Sequence, residues 1–424
     1  MNTIKSINDL KKNIFNLKRS LGGHSNYLTL KKIKEYIPTL NIKKIKSGVN
    51  VYGWKVPYTW EIKKAYITDN KNKKLIDIKN NFLHVLNYST KVNKVITKKE
   101  LLKHLYFIKK IPNAIPYVTS YYYKKWGFCL KYNDLRKFKS KKYKVVIDSN
   151  FTKKGLEYGE KLFTGKSKKE IIFSTYICHP NLGNDNFSGI ILNTLIGNYL
   201  KDKKLNYSYR IIFIPETIGS IYYIKNNLKK LKKNILAGYI LSCLGSGRKI
   251  NILQKYKENI SSSLINNFML KSSYKYLHND WKERGSDERQ FCSPNTNLPF
   301  SLITKDKFFE YKEYHTSLDD INFIKNNDIL HSFNFFKKFI NYIEKQKIYL
   351  SLNNVEPFLS KYNLYSKISS SFQKNKDQVN LINIIDYCDG NKTIIEIANL
   401  LKINIKNINR LVEILIKNKI IKEI

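Results

Sequence analysis

The stretch EIIFSTYICHPNLGNDNFSG, residues 170–189, decides the fold of this chain. Its first eight residues are a nearly continuous apolar run, as expected for a β-strand that is buried on both faces. A short polar loop follows, and apolar residues then recur at helical spacing over 188–200. A strand that passes through a polar loop into a helix is typical of an α/β sheet.

Other apolar runs repeat this pattern between residues 151 and 350. They read YRIIFIP (209–215), ILAGYILS (235–242) and LPFSLIT (298–304), and a helical segment over 220–232 separates the first two. We therefore predict an α/β domain over 151–350, in which helices flank a parallel or mixed sheet.

The remaining segments have different patterns. Residues 1–45 predict two amphipathic helices on either side of Gly22-Gly23, and these helices need the apolar sheet as a partner. Short aromatic and β-branched runs over 46–150 predict a β-rich module. Three short helical segments predict a winged-helix-like unit over 365–424, tethered through the Ser-rich stretch 366–371.

The composition bounds the function classes. The net charge is +44, yet only seven of the 77 basic residues are arginine. Proteins that bind phosphate or bases rely heavily on arginine, so compositional drift under an AT-rich genome explains the lysines at least as well as nucleic-acid binding does. We do not expect the terminal unit to bind DNA, although its helix 405–417 carries three basic residues, Lys406, Arg410 and Lys417.

The location can also be predicted. No stretch approaches the length of a membrane span, and the first residues lack the apolar core of a secretory signal. The five cysteines are scattered and form no CxxC pair. We therefore expect a cytoplasmic protein with free thiols that does not associate with membranes.

Four polar residues follow the predicted strands: His179, Asp185, Glu216 and His315. Ligands bind at the carboxyl ends of strands in open α/β sheets, so these side chains are expected to converge. Two imidazoles and a carboxylate can hold zinc, and a separate glutamate can take a proton from an attacking water. The pattern therefore indicates a zinc-dependent hydrolase.

Each residue also has a structural interpretation. His179 could be an ordinary histidine at a strand end, and Asp185 could cap the following helix. Glu216 could pair with a lysine. His315 could be a loop residue, with Asp319 capping the next helix. Their joint occurrence at the strand ends of one sheet favours the site.

These segments resemble a known family. Asp185-Asn186-Phe187-Ser188-Gly189 resembles the D-x-x-S-G signature of the co-catalytic zinc aminopeptidases, which include bacterial leucyl aminopeptidases and glutaminyl cyclases. Tyr314-His315-Thr316-Ser317-Leu318-Asp319 resembles their Y-H-T-x-x-D motif. The resemblance implies that His179, Asp185 and His315 are metal ligands, and it places Glu216 in the family's Glu-Glu pair.

A closer resemblance covers nearly the whole chain. The sequence is similar to bacterial aminopeptidase-like proteins that are often linked with surface-polysaccharide loci. The resemblance rests on the segments 115–122, 126–129, 176–180, 215–220 and 284–290. It implies a zinc-exopeptidase-like (phosphorylase/hydrolase-like) α/β domain, with the β-rich module inserted at 46–150 and a C-terminal winged helix.

The sequence departs from the two-metal pattern at three positions. Thr217 stands where the family has a second glutamate ligand, and Ser242 stands where it has an aspartate ligand. Asn181 replaces the aspartate that orients the first histidine. We therefore expect one zinc ion rather than two, with Glu216 as the general base. Glu216 could instead be a ligand, which would leave the site without its base.

We assign substrate binding to Arg284, Asp287, Arg289 and Tyr314. An arginine retained in a lysine-rich chain suggests a fork that clamps a carboxylate, although a structural ion-pair network would explain it equally well. Asp287 could also complete the metal shell or bind a substrate amine.

The function predicted from the sequence is a metallopeptidase-type hydrolase that cleaves a peptide or other amide bond in a small substrate. One alternative is a metal-binding or inactive binding protein that retains the aminopeptidase fold, with a link to surface-polysaccharide biosynthesis. Another is a nucleic-acid-associated regulator, suggested by the charge and the winged helix.

Overall fold

A computed structural model describes residues 3–247, 249–256, 259–365 and 376–423. The chain forms two compact units. The larger unit comprises Met1–Lys255 and Tyr274–Lys337, and the smaller unit comprises Tyr256–Ser273 and Lys338–Ile424. The tether predicted at 366–371 lies outside the described residues. None of the described helices is long and apolar enough to span a bilayer.

The helices and strands of both units are numbered in chain order. The helices are α1 (Thr3–Ile14), α2 (His24–Tyr36), α3 (Lys98–Leu102), α4 (Ser188–Leu200), α5 (Ile218–Asn234), α6 (Ile260–Leu270), α7 (Glu288–Phe291), α8 (Asn326–Glu344), α9 (Lys376–Tyr387), α10 (Ile394–Leu400) and α11 (Ile405–Lys417). The strands are β1 (Asn41–Ile45), β2 (Asn50–Val51), β3 (Trp54–Lys55), β4 (Thr59–Thr68), β5 (Lys74–Asp77), β6 (Val92–Thr97), β7 (Leu105–Tyr106), β8 (Phe128–Cys129), β9 (Lys142–Thr152), β10 (Leu156–Phe163), β11 (Glu170–Tyr176), β12 (Ser208–Ile214), β13 (Ile235–Leu241), β14 (Ile250–Gln254), β15 (Tyr276–Asn279), β16 (Phe300–Thr304), β17 (Ile348–Ser351), β18 (Asp389–Thr393) and β19 (Ile421–Glu423).

An eight-stranded mixed sheet forms the centre of the larger unit, in the order β1-β10-β12-β11-β13-β16-β14-β15. Strands β12, β11, β13 and β16 run parallel, and every residue of β11 and β12 is buried. Burial on both faces explains why these strands read as continuous apolar runs. The predicted fold class, a mixed α/β sheet flanked by helices, is confirmed.

The N-terminal segment packs on this sheet. Helix α2 contacts β10 and α4, and α1 contacts α2 and α4. Ile7, Leu10 and Ile14 on α1 are fully buried. Residues 41–45, which we predicted within a helical segment, instead form β1, which pairs antiparallel with β10. The register of this edge strand places Ile45 in the core. The other residues of the strand are exposed or half-buried, so the sequence carries no period-two signal that would indicate a strand.

A separate four-stranded antiparallel sheet, in the order β5-β4-β9-β6, lies between β1 and β10 in the sequence. Its core includes Trp60, Ile67 and Val145. The chain returns to the main sheet through Gly155, whose φ of +88° is costly for any residue with a Cβ. A Cβ there would also lie 2.6 Å from the carbonyl oxygen of Ile45. This crossing therefore requires glycine.

The smaller unit contains the helices α6, α9, α10 and α11, the C-terminal end of α8, and a three-stranded sheet in the order β18-β17-β19. Thr393 begins α10 with a reciprocal cap to Glu396. Helix α11 buries one face through Ile408, Leu411 and Leu415. The central strand β17 begins at residue 348, so the predicted boundary at 365 omits it. A strand of four residues cannot be predicted from its own sequence, because it is defined by its pairing with the distant strands β18 and β19.

Helix α4 approaches the central strands closely at its second residue. A Cβ on Gly189 would lie 2.5 Å from the Thr175 hydroxyl oxygen and 2.7 Å from the Leu241 carbonyl oxygen. Real Cβ atoms essentially never come so close, so any larger side chain forces the helix start away from the sheet. The glycine of the D-x-x-S-G signature therefore keeps the segment before α4 against the strand ends.

We predict that Gly189→Ala lowers the free energy of unfolding of the larger unit by about 1–3 kcal/mol, because overpacking strains a dense core. Urea titration followed by circular dichroism measures the change. Lys201→Ala, at the exposed end of the same helix, is the control and should change the value by less than about 0.5 kcal/mol. Equal effects of the two substitutions would contradict the close approach.

Candidate metal centre

The ends of the central strands position the candidate residues. His179 follows β11 and is 7% exposed, and Asp185 lies in the turn before α4 and is 1% exposed. Glu216 follows β12 and Pro215. His315 lies on the loop after β16, with a left-handed φ of 52°. The four side chains thus come from three connections at the carboxyl edge of one sheet, because His179 and Asp185 both lie between β11 and α4.

Three of these residues converge. One donor atom from each of His179, Asp185 and His315 lies within 4.8 Å of the others. The His315 Nε2 atom is 2.8 Å from an Asp185 carboxylate oxygen, and the two imidazole centroids are 5.6 Å apart. This is the arrangement that the sequence led us to expect for these three residues.

The chemistry of this donor set fits a zinc ion, because zinc prefers imidazole nitrogen and carboxylate oxygen. Burial lowers the pKa of His179 to about 4, so its ring is neutral near pH 7. Burial alone would raise the pKa of Asp185, but attraction to the imidazoles and hydrogen bonds from His315 and Tyr176 lower it. A neutral imidazole and an ionised carboxylate are the forms that bind metals.

Asp319 holds the turn that carries Asp185. It is fully buried, and its carboxylate accepts hydrogen bonds from the backbone N–H groups of Asn184 and Asp185, the latter at 2.9 Å. Asp319 therefore fixes this turn rather than capping a helix. Asp185 does not cap α4 either, because its carboxylate oxygens face Tyr176 and His315.

Two further buried residues form hydrogen bonds to the candidate ligands, and the sequence analysis missed both. The Tyr176 hydroxyl donates to Asp185 and lies 2.7 Å from the Ser242 hydroxyl. Arg19 is fully buried, and its Nε donates to the His179 carbonyl oxygen at 3.2 Å. Arg19 is one of seven arginines, so the argument from retained arginines could have found it.

Glu216 lies beside the three-residue cluster. One carboxylate oxygen is 4.0 Å from His179 Nε2, and the other accepts a hydrogen bond from the Ser286 hydroxyl at 2.8 Å. Within the part of the chain that the structure describes, no lysine lies within 4.0 Å of this carboxylate. Burial, followed by repulsion from Asp287 and Asp185, raises the pKa of Glu216 well above its usual value. Its carboxylate is therefore a stronger base than that of an exposed glutamate.

The predicted substrate-binding residues are dispersed. Asp287 is 1% exposed and accepts a hydrogen bond from the Thr217 backbone N–H at 2.7 Å, and burial raises its pKa to about 6. Tyr314 stacks on His315 with centroids 4.0 Å apart. Asp287 and Tyr314 thus contact Thr217 and His315, which line the cavity described below.

The two arginines differ in position. Arg289 lines the cavity and its Nε donates to the Ser286 carbonyl oxygen. Arg284 is exposed, lies over the Trp281 ring and is absent from the described cavity wall, so its prediction as a substrate ligand is not supported. The positive charge of Arg289 offsets part of the rise that burial causes in the pKa values of Glu216, Asp287 and Glu288. Arg284 and Arg289 both lie close to Asp287 in the sequence, but this closeness did not predict which of the two side chains faces the cavity.

A cavity of about 430 Å³ opens onto the cluster. One wall holds His179, Glu216 and His315, and the opposite wall comes from the residues between β1 and β10: Trp54, Tyr117, Thr119, Tyr121 and Tyr122. The Tyr117 backbone N–H donates to the His315 carbonyl oxygen at 2.8 Å, which joins the two walls. The sequence analysis cited 115–122 only as a matching segment and missed its place in the site.

One basic residue of α11 forms an ion pair within the smaller unit. Arg410 donates to an Asp377 carboxylate oxygen at 2.6 Å, and each side chain is 49% exposed. One of the three basic residues of the predicted recognition helix is therefore already paired within its own unit.

Comparison with known proteins identifies the family. A family model described as Domain of unknown function (DUF4910) matches residues 8–346, and a winged helix-turn-helix model matches residues 347–423. A Clostridium acetobutylicum protein is 36% identical over 394 residues, which are 92% of this chain and 90% of that protein. Its provisional name places it in polysaccharide biosynthesis and gives it an aminopeptidase-like domain.

Solved structures agree. A crystal structure of a provisionally named peptidase from Clostridium acetobutylicum has a TM-score of 0.81 and 34% identity, and the match covers 100% of this chain and 97% of that one. The zinc aminopeptidase BSAP from Bacillus subtilis gives a TM-score of 0.57 at 12% identity, over 80% of this chain and 94% of that one. An M28 peptidase precursor from Shewanella amazonensis gives 0.55 at 11% identity, over 80% and 92%.

The two low identities show a common fold alone, whereas the family model and the Clostridium protein show kinship along most of the chain. The predicted resemblance to aminopeptidase-like proteins and the predicted winged helix are both confirmed. The chain belongs to the aminopeptidase-like family described by the DUF4910 model, with a winged helix-turn-helix domain over residues 347–423.

Proposed function

We propose that this chain is a metal-dependent hydrolase that cleaves an amide bond, with one zinc ion held by His179, Asp185 and His315. The proposal rests on one observation: three donor atoms of the types that zinc prefers lie within 4.8 Å of one another, next to a cavity that Glu216 also faces. The buried free cysteines fit a cytoplasmic location.

A bound zinc ion would supply Lewis-acid polarisation of the amide carbonyl and would lower the pKa of a water molecule. Glu216 accepts the proton of the attacking water and delivers it to the leaving nitrogen. Its raised pKa suits both steps, because the same carboxyl group must take and release one proton. The Ser286 hydrogen bond fixes the orientation of its carboxylate.

Three other residues near the cavity bind the substrate or orient the residues that line the cavity. Arg289 is the cation available to a substrate in the cavity. Asp287 holds the start of α5 through Thr217, and Tyr314 orients the His315 ring by stacking. The name of the Clostridium relative suggests that the reaction belongs to polysaccharide biosynthesis.

We predict that Glu216→Gln retains zinc and the fold but lowers turnover by about 10²–10⁴-fold, because it removes the basic oxygen and keeps the shape. Release of amine from aminoacyl-4-nitroanilides and from N-acetylated oligosaccharides measures turnover, and elemental analysis measures zinc. Glu283→Gln, at an exposed carboxylate paired with Lys307, is the matched control and should behave like wild type.

Loss of zinc together with loss of activity in Glu216→Gln would make Glu216 a ligand instead of the base. Unchanged turnover would remove it from the reaction.

We predict that wild type binds one zinc ion per chain and that the double substitution Thr217→Glu and Ser242→Asp raises this to two. These are the positions at which the two-metal family supplies carboxylates. Equilibrium dialysis followed by elemental analysis counts the ions. The uncharged pair Thr217→Gln and Ser242→Asn is the control and should still bind one. A count of two in wild type, or of one in the charged variant, would contradict this interpretation.

Ligand binding without turnover is a second candidate function. It is favoured by the Ser242 hydroxyl, which lies 2.7 Å from the Tyr176 hydroxyl and so serves a phenol instead of supplying a carboxylate ligand. If the zinc-loaded wild type turns over none of the amides above, this candidate replaces the hydrolase.

A further inference from the structure

A second cavity adjoins the candidate site. It measures about 470 Å³ and shares Tyr121 and Tyr122 with the first. Its wall is mainly aromatic and comes from the β-rich residues: Tyr58, Tyr88, Tyr121, Tyr122, Tyr123 and Phe151. We call the two cavities together, from His179 to Phe151, the aromatic groove. The shared tyrosines place the second cavity next to the one that opens onto the candidate metal centre.

The aromatic rings follow one another along this groove. Tyr117 lies with its ring centroid 5.2 Å from that of His179. The Tyr117 hydroxyl is 2.9 Å from the Tyr121 hydroxyl, and the Tyr121 and Tyr88 centroids are 5.0 Å apart. Tyr88 in turn lies 5.8 Å from Phe151. Ring and hydroxyl contacts therefore run from His179 to Phe151, although Tyr88 within this series is only 2% exposed.

Two rings of the aromatic groove are partly exposed, and their planes are inclined by 59° to each other. Trp54 is 43% exposed, Tyr122 is 51% exposed, and their centroids lie 6.2 Å apart. Such side chains present a flat apolar face and a polar tip. The C–H faces of pyranose rings stack on flat aromatic faces, while sugar hydroxyls bond to phenol and ammonium groups. A pair of exposed rings at the mouth of a reactive cavity suits a chain of sugars.

The charges of the groove disfavour a free peptide N-terminus. An ammonium group needs a carboxylate partner when it leaves water. Within the described wall, the second cavity contains only Lys55 and Lys124 as charged residues, and the first contains Glu216 and Arg289. Glu216 is the proposed base, and Thr217 and Ser242 replace two carboxylates of the related two-metal sites. A neutral N-acyl group therefore fits better than a cationic amine.

We propose that the aromatic groove binds an N-acylated oligosaccharide, with one N-acyl amide at the Glu216 end and the following sugars stacked along Trp54 and Tyr122. The proposal rests on the amide hydrolase proposed above and names its substrate class. In the reaction, water adds to the acyl carbonyl and the C–N bond breaks. The products are a carboxylate and an amino sugar, and the nitrogen receives its proton through Glu216.

The test measures binding apart from turnover. Full-length Glu216→Gln, with and without zinc, is titrated with tetra-N-acetylchitotetraose while tryptophan fluorescence is recorded and calorimetry runs in parallel. We expect saturable binding with a change in emission. Trp54→Phe should abolish the emission change and retain calorimetric binding. Tyr122→Ala should weaken binding at least tenfold, whereas Tyr27→Ala, at a 38% exposed tyrosine outside the groove, should not.

Equal affinity of Tyr122→Ala and Tyr27→Ala for the tetrasaccharide would contradict the proposal that the aromatic groove binds it. So would failure of the tetrasaccharide to bind while N-acetyl-tetraalanine binds with the same dependence on Tyr122, because the groove would then serve peptides. Saccharide binding without turnover in wild type would leave the groove standing and remove the hydrolase. Turnover of a peptide amide without saccharide binding would support the hydrolase and contradict the saccharide groove.

Discussion

The site depends on one buried carboxylate. Asp185 is 1% exposed, and an ionised group so far from water must be surrounded by partners. Its backbone is held by Asp319, its side chain faces Tyr176 and His315, and the helix that follows it is pressed on the sheet at Gly189. The segments that carry Asp185, Tyr176 and His315 therefore meet around one buried negative charge. A cation bound between the two imidazoles would neutralise that charge.

The same region shows how the family layout was modified. Where a two-metal site has two more carboxylates, this chain has Thr217 and Ser242. Thr217 keeps a left-handed φ of 62°, and its N–H is bonded to buried Asp287. The backbone at the helix start is therefore strained and is held by the hydrogen bond to Asp287. A less negative site suits one ion and a neutral amide better than two ions and an ammonium.

The fold and the three converging residues could be predicted because they obey local rules. Continuous apolar runs mark buried parallel strands, and polar residues just after them point to one edge of the sheet. The roles of Asp319, Tyr176 and Arg19 depend on long-range contacts that no spacing encodes, although the scarcity of arginine could have drawn attention to Arg19. The aromatic wall was missed for the same reason, since Tyr117 reaches His315 across 198 residues. Strand β17 likewise depends on distant partners.

The central claim is that one zinc ion binds between His179, Asp185 and His315. The most direct measurement is anomalous diffraction above and below the zinc absorption edge, from crystals of the full chain soaked in zinc. The account predicts a single strong peak within about 2.0–2.2 Å of one donor atom from each of these three residues. Two adjacent peaks, or no peak at this place under saturating zinc, would contradict it.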